Sequence, residues 1–148
     1  MNKFIKIIIF ILLNYSLLFL HVAKAEEKIK IGLLVPMTGS NKNLGQSIIK
    51  AVKLAVKDID SDLIEIIPKD TATKPNQTLK SAFELKEMGV RVIIGPIFHE
   101  SLTYLDEMKD LTFLSFTNKI SKTKKNVISA GVNSISQFKA IKKFQSLK

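Results

Sequence analysis

One histidine stands at the end of an apolar run. The stretch RVIIGPIFHES passes through Gly95-Pro96 into His99 and Glu100, with Ser101 next. An imidazole beside a carboxylate could serve acid–base chemistry or form part of a metal site. A nucleophile needs a base next to it, however, and a zinc site needs three or four ligands. This stretch supplies at most part of either site, and a solvent-exposed start of a helix is an equally good interpretation.

The rest of the chain offers little material for enzyme chemistry. The sequence has no cysteine, and its only other histidine lies within the first 25 residues. Gly32, Gly39 and Gly45 do not form the G-x-G-x-x-G fingerprint, and no G-K-[ST] phosphate loop is present. We therefore expect a non-enzymatic protein without a cofactor or a metal.

Hydroxyl side chains follow two other apolar runs. Thr38 and Ser40 come after KIKIGLLVP, and Ser115 and Thr117 lie in the run LTFLSFTN. Turns and helix caps use the same residue types, so each segment alone fits a structural role as well as a ligand role. Convergence of these segments at one place in the fold would favour the ligand role.

Strands and helices alternate along the predicted chain. Apolar runs predict five strands, over 28–36, 63–67, 90–94, 111–116 and 127–132. Helical spacing predicts four helices, over 44–59, 75–89, 100–109 and 134–147. Because the strands are apolar throughout, they predict a parallel sheet covered on both faces. Right-handed crossovers make this a doubly wound α/β sheet.

Two details of the core follow from the same pattern. The inner face of the helix that Pro75 opens is predicted to be Leu79, Ala82 and Phe83. The third strand contains Val92–Ile94 and has no polar side chain, so we expect it to be central and fully buried.

Ligands of doubly wound sheets bind outside the carboxyl ends of the strands, at the topological switch point. Those ends are predicted at 37–40, 70–71, 98–101 and 115–118. Asp70 lies at the same edge but is predicted to be a strand-end or turn residue more often than a ligand. The sequence predicts one pocket at this edge, lined by Thr38, Ser40, His99, Ser101, Ser115 and Thr117.

The first 25 residues have the pattern of a signal peptide. MNKFIK is basic, a short apolar run follows, and Ala23 and Ala25 form the A-x-A motif of a cleavage site. We expect cleavage after Ala25 and a periplasmic protein that starts at Glu26. The alternative is an uncleaved membrane anchor, for which the apolar run is short.

The net charge of +10 is concentrated at the C-terminal end. Residues 118–148 contain eight lysines and no acidic residue. The lysine-rich stretch SKTKK, residues 121–125, has no arginine and no interleaved aromatic residue. It therefore reads as a solvated loop, and we expect no nucleic-acid partner.

Taken together, these motifs resemble type I periplasmic binding proteins of the leucine/isoleucine/valine-binding kind. The similarity covers nearly all of residues 29–148 and includes IKIGLLVPMTGSNKNLGQSIIKAVKLAV, PNQTLKSAFELKEMGVRVIIGP and FLSFTN. In IIPKDT, IIGPIF and SFTN it is closer to a branch that activates penicillin-binding proteins. The resemblance implies two lobes hinged around a ligand.

The family pattern also implies roles for individual residues. Amino-acid binders hold the ligand carboxylate just after the third strand and its amino group near the end of the fourth. Ser115 and Thr117 match the fourth-strand positions, whereas His99, followed by Glu100, takes the place of the third-strand hydroxyl. This departure weakens the expectation of branched-chain amino-acid binding.

The resemblance leaves three functional alternatives. The first is a receptor that passes an amino acid or similar small molecule to the permease of an ABC transporter. The second is a regulator of peptidoglycan synthesis that binds a cell-wall synthase, and the third is an inactive fragment. In each case the membrane is contacted only through partners.

Family members are much longer than this chain, so the resemblance implies either that the sequence is a fragment of a two-lobed protein or that its gene is degraded. We expect residues 26–132 to form the N-terminal ligand-binding lobe. Residues 133–148 are then a helix that packs on a second lobe, which this sequence lacks.

Overall fold

A computed structural model describes residues 3–5, 8, 27–119 and 125–146. Most of the predicted signal peptide, with its cleavage point after Ala25, lies outside the described residues, as does most of the 121–125 stretch. The strands are β1 (Ile29–Val35), β2 (Ile64–Asp70), β3 (Val92–Ile94), β4 (Thr112–Ser115) and β5 (Val127–Ser129). The helices are α1 (Lys42–Ile59), α2 (Pro75–Glu87) and α3 (Ser134–Gln145), with short 3₁₀ helices at His99–Leu102 and Leu105–Glu107.

The five strands form one sheet in the order β2-β1-β3-β4-β5, and every neighbouring pair is parallel. The predicted doubly wound α/β fold is confirmed. From β1 the chain crosses to β2 on one side and then returns to β3 on the other side of β1. The topological switch point therefore lies between β1 and β3.

One face of the sheet is closed by α2 and the two 3₁₀ helices. The register aligns Gly32, Ile93 and Phe113, so the side chains of Ile93 and Phe113 share this face and Gly32 lies in the same row without a side chain. A Cβ at Gly32 would lie 2.7 Å from Leu85 Cδ1, which shows how closely α2 approaches. The buried cluster at this face consists of Leu34, Ile67, Ala82, Leu85, Val90, Ile93, Leu102, Leu105, Met108, Leu111 and Phe113.

The opposite face is covered only in part. Crossovers that run in opposite directions place α1 and α2 on opposite faces, and Leu33 and Val35 are buried on the α1 side. Further along the sheet, Val92 is 46% exposed and Ile128 is 56% exposed. The prediction that β3 is central is confirmed, but its full burial is wrong, because only Ile93 is completely enclosed. None of the described side chains of α3 is buried, so α3 does not cover this face.

Two helical predictions need correction. Phe83 is 48% exposed, because the buried face of α2 follows Thr78, Ala82 and Leu85 and Phe83 lies one residue beyond it. The predicted helix at 100–109 consists of the two 3₁₀ helices instead. The carbonyls of Leu105 and Met108 accept from the backbone N–H groups of Met108 and Leu111, and the Asn126 amide donates to them as well, at 2.8 Å and 3.0 Å.

Strand β2 continues beyond its predicted end, through Pro68 to Asp70. Proline is tolerated there because β2 is an edge strand and can spare one donor. The extension matters for function, because it places the Asp70 side chain beside the loop that follows β1. Within the described part of the chain, no helix has the length and apolar character needed to cross a bilayer.

Candidate functional site

The register of the parallel sheet brings the predicted site segments to one edge. Val35 at the end of β1 pairs with Asp70, and Ser115 at the end of β4 pairs with Ser129. Residues that directly follow β1, β3 and β4 therefore share the carboxyl edge of the sheet. All six predicted site residues lie along this edge: Thr38, Ser40, His99, Ser101, Ser115 and Thr117.

On the β1 side of the switch point, the Asp70 carboxylate binds the loop after β1. The Thr38 hydroxyl donates a 2.6 Å hydrogen bond to Asp70 Oδ2. Oδ1 accepts from the backbone N–H groups of Met37 at 2.7 Å, Ala72 at 2.8 Å and Thr38 at 3.3 Å. We call this group, Met37, Thr38, Asp70 and Ala72, the Asp70 clamp. Because a hydroxyl has one proton, the Thr38 hydroxyl makes its only donated hydrogen bond inside this clamp.

The clamp keeps Asp70 ionised. Partial burial raises the pKa of this carboxyl, but the hydrogen bonds from the Thr38 hydroxyl and from the backbone of Ala72, Met37 and Thr38 outweigh burial. The pKa of Asp70 is therefore lowered overall. An ionised carboxylate is an acceptor on both oxygens, which matches the four donors that surround it.

The loop after β2 is shaped around the same carboxylate. Ala72 and Thr73 have φ of 45° and 58°, in the left-handed region that residues other than glycine rarely adopt. The Asn41 amide donates to Thr73 Oγ1 at 3.2 Å, and the Ser81 hydroxyl donates to the Asp70 carbonyl at 2.6 Å. These bonds join the loops after β1 and β2 to each other and to α2, whereas Ser40 is exposed.

On the other side of the switch point, Ser115 joins the loops after β3 and β4. Its hydroxyl donates to the Pro96 carbonyl at 2.7 Å and accepts from the Thr117 N–H at 3.3 Å. Ser115 is fully buried, and we call this arrangement the Ser115 bridge. Gly95, which precedes Pro96, has a φ of 105°, and a Cβ there would lie 2.3 Å from the Leu34 carbonyl oxygen. The turn after β3 therefore requires glycine.

Two polar atoms in the 3₁₀ helix that follows β3 lack a hydrogen-bond partner among the described residues. They are His99 Nδ1 and Ser101 Oγ, and both atoms are buried. Nearly all buried polar groups in native proteins are paired, so these two atoms have unused hydrogen-bonding capacity. Thr117 is also buried nearby, and its Oγ1 accepts from the Lys119 N–H at 3.2 Å.

The structure thus divides the predicted site residues into two groups. The hydroxyl protons of Thr38 and Ser115 are used inside the protein, whereas His99 Nδ1 and Ser101 Oγ are buried without a hydrogen-bond partner in the described part of the chain. Sequence reasoning ranked Asp70 below them, although it receives more hydrogen bonds than any of the six. The available signal was its position at the end of a strand next to the MTGS loop. In the described ranges, no three histidine or acidic residues are grouped to hold a metal ion.

Comparisons with known proteins agree with this architecture. Residues 28–144 match the sequence model of the periplasmic binding protein family. No curated protein matches the chain at a significant level.

Solved structures of binding proteins share the fold. A leucine-binding protein from Thermotoga maritima superposes with a TM-score of 0.65 at 17% identity, over 78% of this chain and 36% of that one. A solute-binding protein of an ABC transporter from Rhodopseudomonas palustris, solved with 3,4-dihydroxybenzoic acid, has 28% identity and a TM-score of 0.61. That match covers 69% of this chain and 31% of the other.

A third similar structure is the C-terminal domain of LpoA from Haemophilus influenzae, a regulator of PBP1A. Its TM-score is 0.58 at 19% identity, over 70% of this chain and 32% of that one. This chain therefore spans about one third of the length of these proteins, since the matches cover 36%, 31% and 32% of the three chains. The family and these neighbours are binding proteins rather than enzymes. Since the family model matches residues 28–144, which is most of the sequence, the chain belongs to the periplasmic binding protein family.

Proposed function

We propose that this chain is the N-terminal lobe of an exported solute receptor of the leucine-binding-protein type. It would deliver an amino acid or a similar small molecule to the permease of an ABC transporter. One observation carries the proposal. Two buried polar atoms, His99 Nδ1 and Ser101 Oγ, have no partner among the described residues and follow β3 at the switch point, where doubly wound sheets bind ligands.

The proposed pocket is lined by residues with two kinds of task. We assign His99, Ser101 and Thr117, whose polar atoms lie buried at this edge, to the ligand, and exposed Ser40 to the rim. Thr38 and Ser115 hold the walls through the Asp70 clamp and the Ser115 bridge.

The charge at this edge favours a ligand with both donors and acceptors. The Ser101 hydroxyl can donate to a carboxylate, whereas the exposed Glu100 side chain repels a ligand that is purely anionic. A zwitterion meets both conditions. The Rhodopseudomonas palustris neighbour was solved with an aromatic acid, so aromatic acids belong beside amino acids in any ligand panel.

The same proposal includes the organisation of the chain. Residues 1–25 act as a signal peptide that is cleaved after Ala25, which places residues 26–132 in the periplasm as the ligand-binding lobe. Residues 133–148 pack on a second lobe. Supporting this, the apolar side chains of α3 are exposed, among them Ile135, Phe138 and Ile141. Burial against a second lobe would remove these side chains from water.

Ligand binding can be tested with the full chain and a panel of amino acids and benzoic acids. One lobe provides only half of a closing cleft, so binding will be weak and is best followed by NMR titration. Thr117→Val should weaken binding by about 1–3 kcal/mol, the cost of leaving a polar partner unsatisfied. His99→Ser restores the family hydroxyl and should leave amino-acid binding intact or improve it. Failure of every ligand to bind the parent and His99→Ser would refute the solute-receptor proposal.

A regulator of peptidoglycan synthesis is the second candidate. The His99-Glu100 pair replaces the expected hydroxyl, and the fold is also that of the LpoA domain. Purified penicillin-binding protein ectodomain, immobilised and titrated with the full chain, would test this alternative. Binding that Phe116→Ser weakens would support it, since the Phe116 side chain is exposed at the carboxyl edge. An inactive fragment would bind neither partner.

A further inference from the structure

We propose that Asp70 is the positioning residue of the ligand cleft, because its carboxylate holds the loop after β1 in place beside the switch point. The role of that loop as a wall of the cleft rests on the proposed function. The holding of the loop is a property of the fold and can be tested without a ligand.

Most hydrogen bonds that Asp70 accepts come from the loop that it is proposed to hold. Two backbone N–H groups and one hydroxyl come from Met37 and Thr38, more than 30 residues earlier in the chain. Only the bond from Ala72 is local. Hydrogen bonds to an ionised acceptor are shorter and stronger than neutral ones. A residue that merely shaped its own turn would need the local bond alone.

The turn around Asp70 is strained in a way that depends on the clamp. Ala72 and Thr73 occupy the left-handed region, which costs free energy for residues with a Cβ. Such conformations persist only where the surrounding contacts require them. Here the left-handed turn directs the Ala72 N–H onto Asp70 Oδ1 at 2.8 Å and brings Thr73 Oγ1 to the Asn41 amide at 3.2 Å.

The loop after β1 has its tertiary anchors on the side of β2. Met37 and Thr38 bond to Asp70, and Asn41 bonds to Thr73. The described anchors therefore fix the loop from the β2 side, opposite the switch point. Loss of the carboxylate would release the loop at the point where the cleft opens.

Asp110 provides a matched control. It also makes a short charged contact, 2.7 Å from Oδ2 to Lys86 Nζ, but its side chain is exposed and this contact is with a side chain rather than a loop backbone. Asp110→Asn removes the same charge as Asp70→Asn and should leave the loop after β1 unchanged.

The experiment compares amide hydrogen exchange in the full chain and in these variants. In Asp70→Asn we expect exchange at Met37 and Thr38 to accelerate by about tenfold or more, the rate equivalent of one lost charge-assisted hydrogen bond. The Gly95 and Ala130 amides, which bond to the carbonyls of Leu114 and Ser115, should keep their protection, and Asp110→Asn should resemble the parent at Met37. Unchanged exchange at Met37 in Asp70→Asn would overturn the inference.

A pH titration of the parent decides the question if Asp70→Asn does not fold. The amide shifts of Met37 and Ala72 should follow the titration of the Asp70 carboxyl carbon, with the same midpoint. Amide shifts that ignore this titration would overturn the inference.

Ligand titration separates the two proposals. A ligand that binds the parent should bind Asp70→Asn about tenfold more weakly, the equivalent of about 1.4 kcal/mol. Equal affinity despite a loosened loop would overturn the role of Asp70 in the cleft. If no ligand binds the parent, the proposed function fails, while the exchange data still decide whether Asp70 holds the loop.

Discussion

The two sides of the switch point hold their loops by different chemistry. On the β1 side, the Asp70 clamp uses an ionised carboxylate that is half-buried and accepts four hydrogen bonds. On the β4 side, the Ser115 bridge uses a neutral hydroxyl that is fully buried, with one bond donated and one accepted. Both side chains connect loops from neighbouring strands.

The difference follows from access to water. Burying a carboxylate completely is costly even when it is paired, whereas a hydroxyl with both bonds made is tolerated in a core. Near solvent, a carboxylate can bind more donors at once and make each bond stronger. The clamp should therefore respond to pH and the bridge should not.

The largest expected effect comes from breaking the sheet that both sides share. Ile93→Asp places an unpaired carboxylate in the closed face and should cost about 4 kcal/mol or more, enough to unfold a marginal domain. Val92→Asp is the matched control, because Val92 is half-exposed on the open face and should cost far less. Urea denaturation followed by circular dichroism measures both. Similar losses for the two variants would mean that the faces are equally closed.

Removal of the Ser115 bridge is the next largest effect. Ser115→Ala leaves the Pro96 carbonyl and the Thr117 N–H without their partner in a buried site, which should cost about 1–3 kcal/mol. Ser129→Ala, on the neighbouring β5, is the control and should change stability by less than about 0.5 kcal/mol. Equal urea midpoints for Ser115→Ala and the parent would show that the bridge contributes nothing.

A smaller loss is expected at the clamp. Asp70→Asn keeps one acceptor oxygen for the backbone N–H groups but weakens every bond, so we expect a cost of about 1 kcal/mol, reduced by solvent screening. Asp110→Asn should not change the urea midpoint measurably, since its ion pair is exposed. A loss at Asp70 larger than that at Ser115 would reverse the ranking of the two sides.

The smallest of the expected effects is a difference between the two sides in how the free energy of unfolding depends on acid pH. Because the pKa of Asp70 is lowered on folding, its contribution is complete above the ordinary aspartate pKa and is lost as pH falls through the folded-state value. From about pH 5 downward, the parent should therefore lose stability more steeply than Asp70→Asn. Ser115→Ala should keep the slope of the parent, because a hydroxyl does not titrate there. Parallel slopes for the parent and Asp70→Asn would contradict the lowered pKa.

The elements of this fold could be predicted because their signals are local. Apolar runs marked β1 and β3, and Pro75 marked the start of α2. The alternation of strands and helices then predicted the parallel sheet, and the common edge of the polar segments followed from that topology.

The partners of the polar side chains could not be predicted in the same way. Thr38 and Asp70 are 32 residues apart, and Ser115 and Pro96 are 19 apart, so these bonds depend on which strands become neighbours. The order of the strands in the sheet cannot be read from any local sequence pattern. Sequence reasoning therefore assigned both hydroxyls to a ligand, although each already donates within the protein.

The exposure of individual side chains could not be predicted from local sequence patterns either. Val92 belongs to a strand without polar side chains, but its burial depends on an element that covers the far side of the sheet. The 3₁₀ helices after β3 likewise depend on Asn126, a residue from the far end of the sheet.

The central claim, that the carboxyl edge around the switch point is a ligand cleft, can be tested by mapping where a ligand binds. We would titrate the ¹⁵N-labelled full chain with the amino acids and benzoic acids of the panel and record every backbone amide. We expect the largest shifts to cluster at His99, Ser101 and Thr117, with smaller shifts at Thr38. Asp106 and Asn126, which precede β4 and β5 at the amino edge, should stay unchanged. Shifts confined to the amino edge, or no shifts with any ligand, would contradict it.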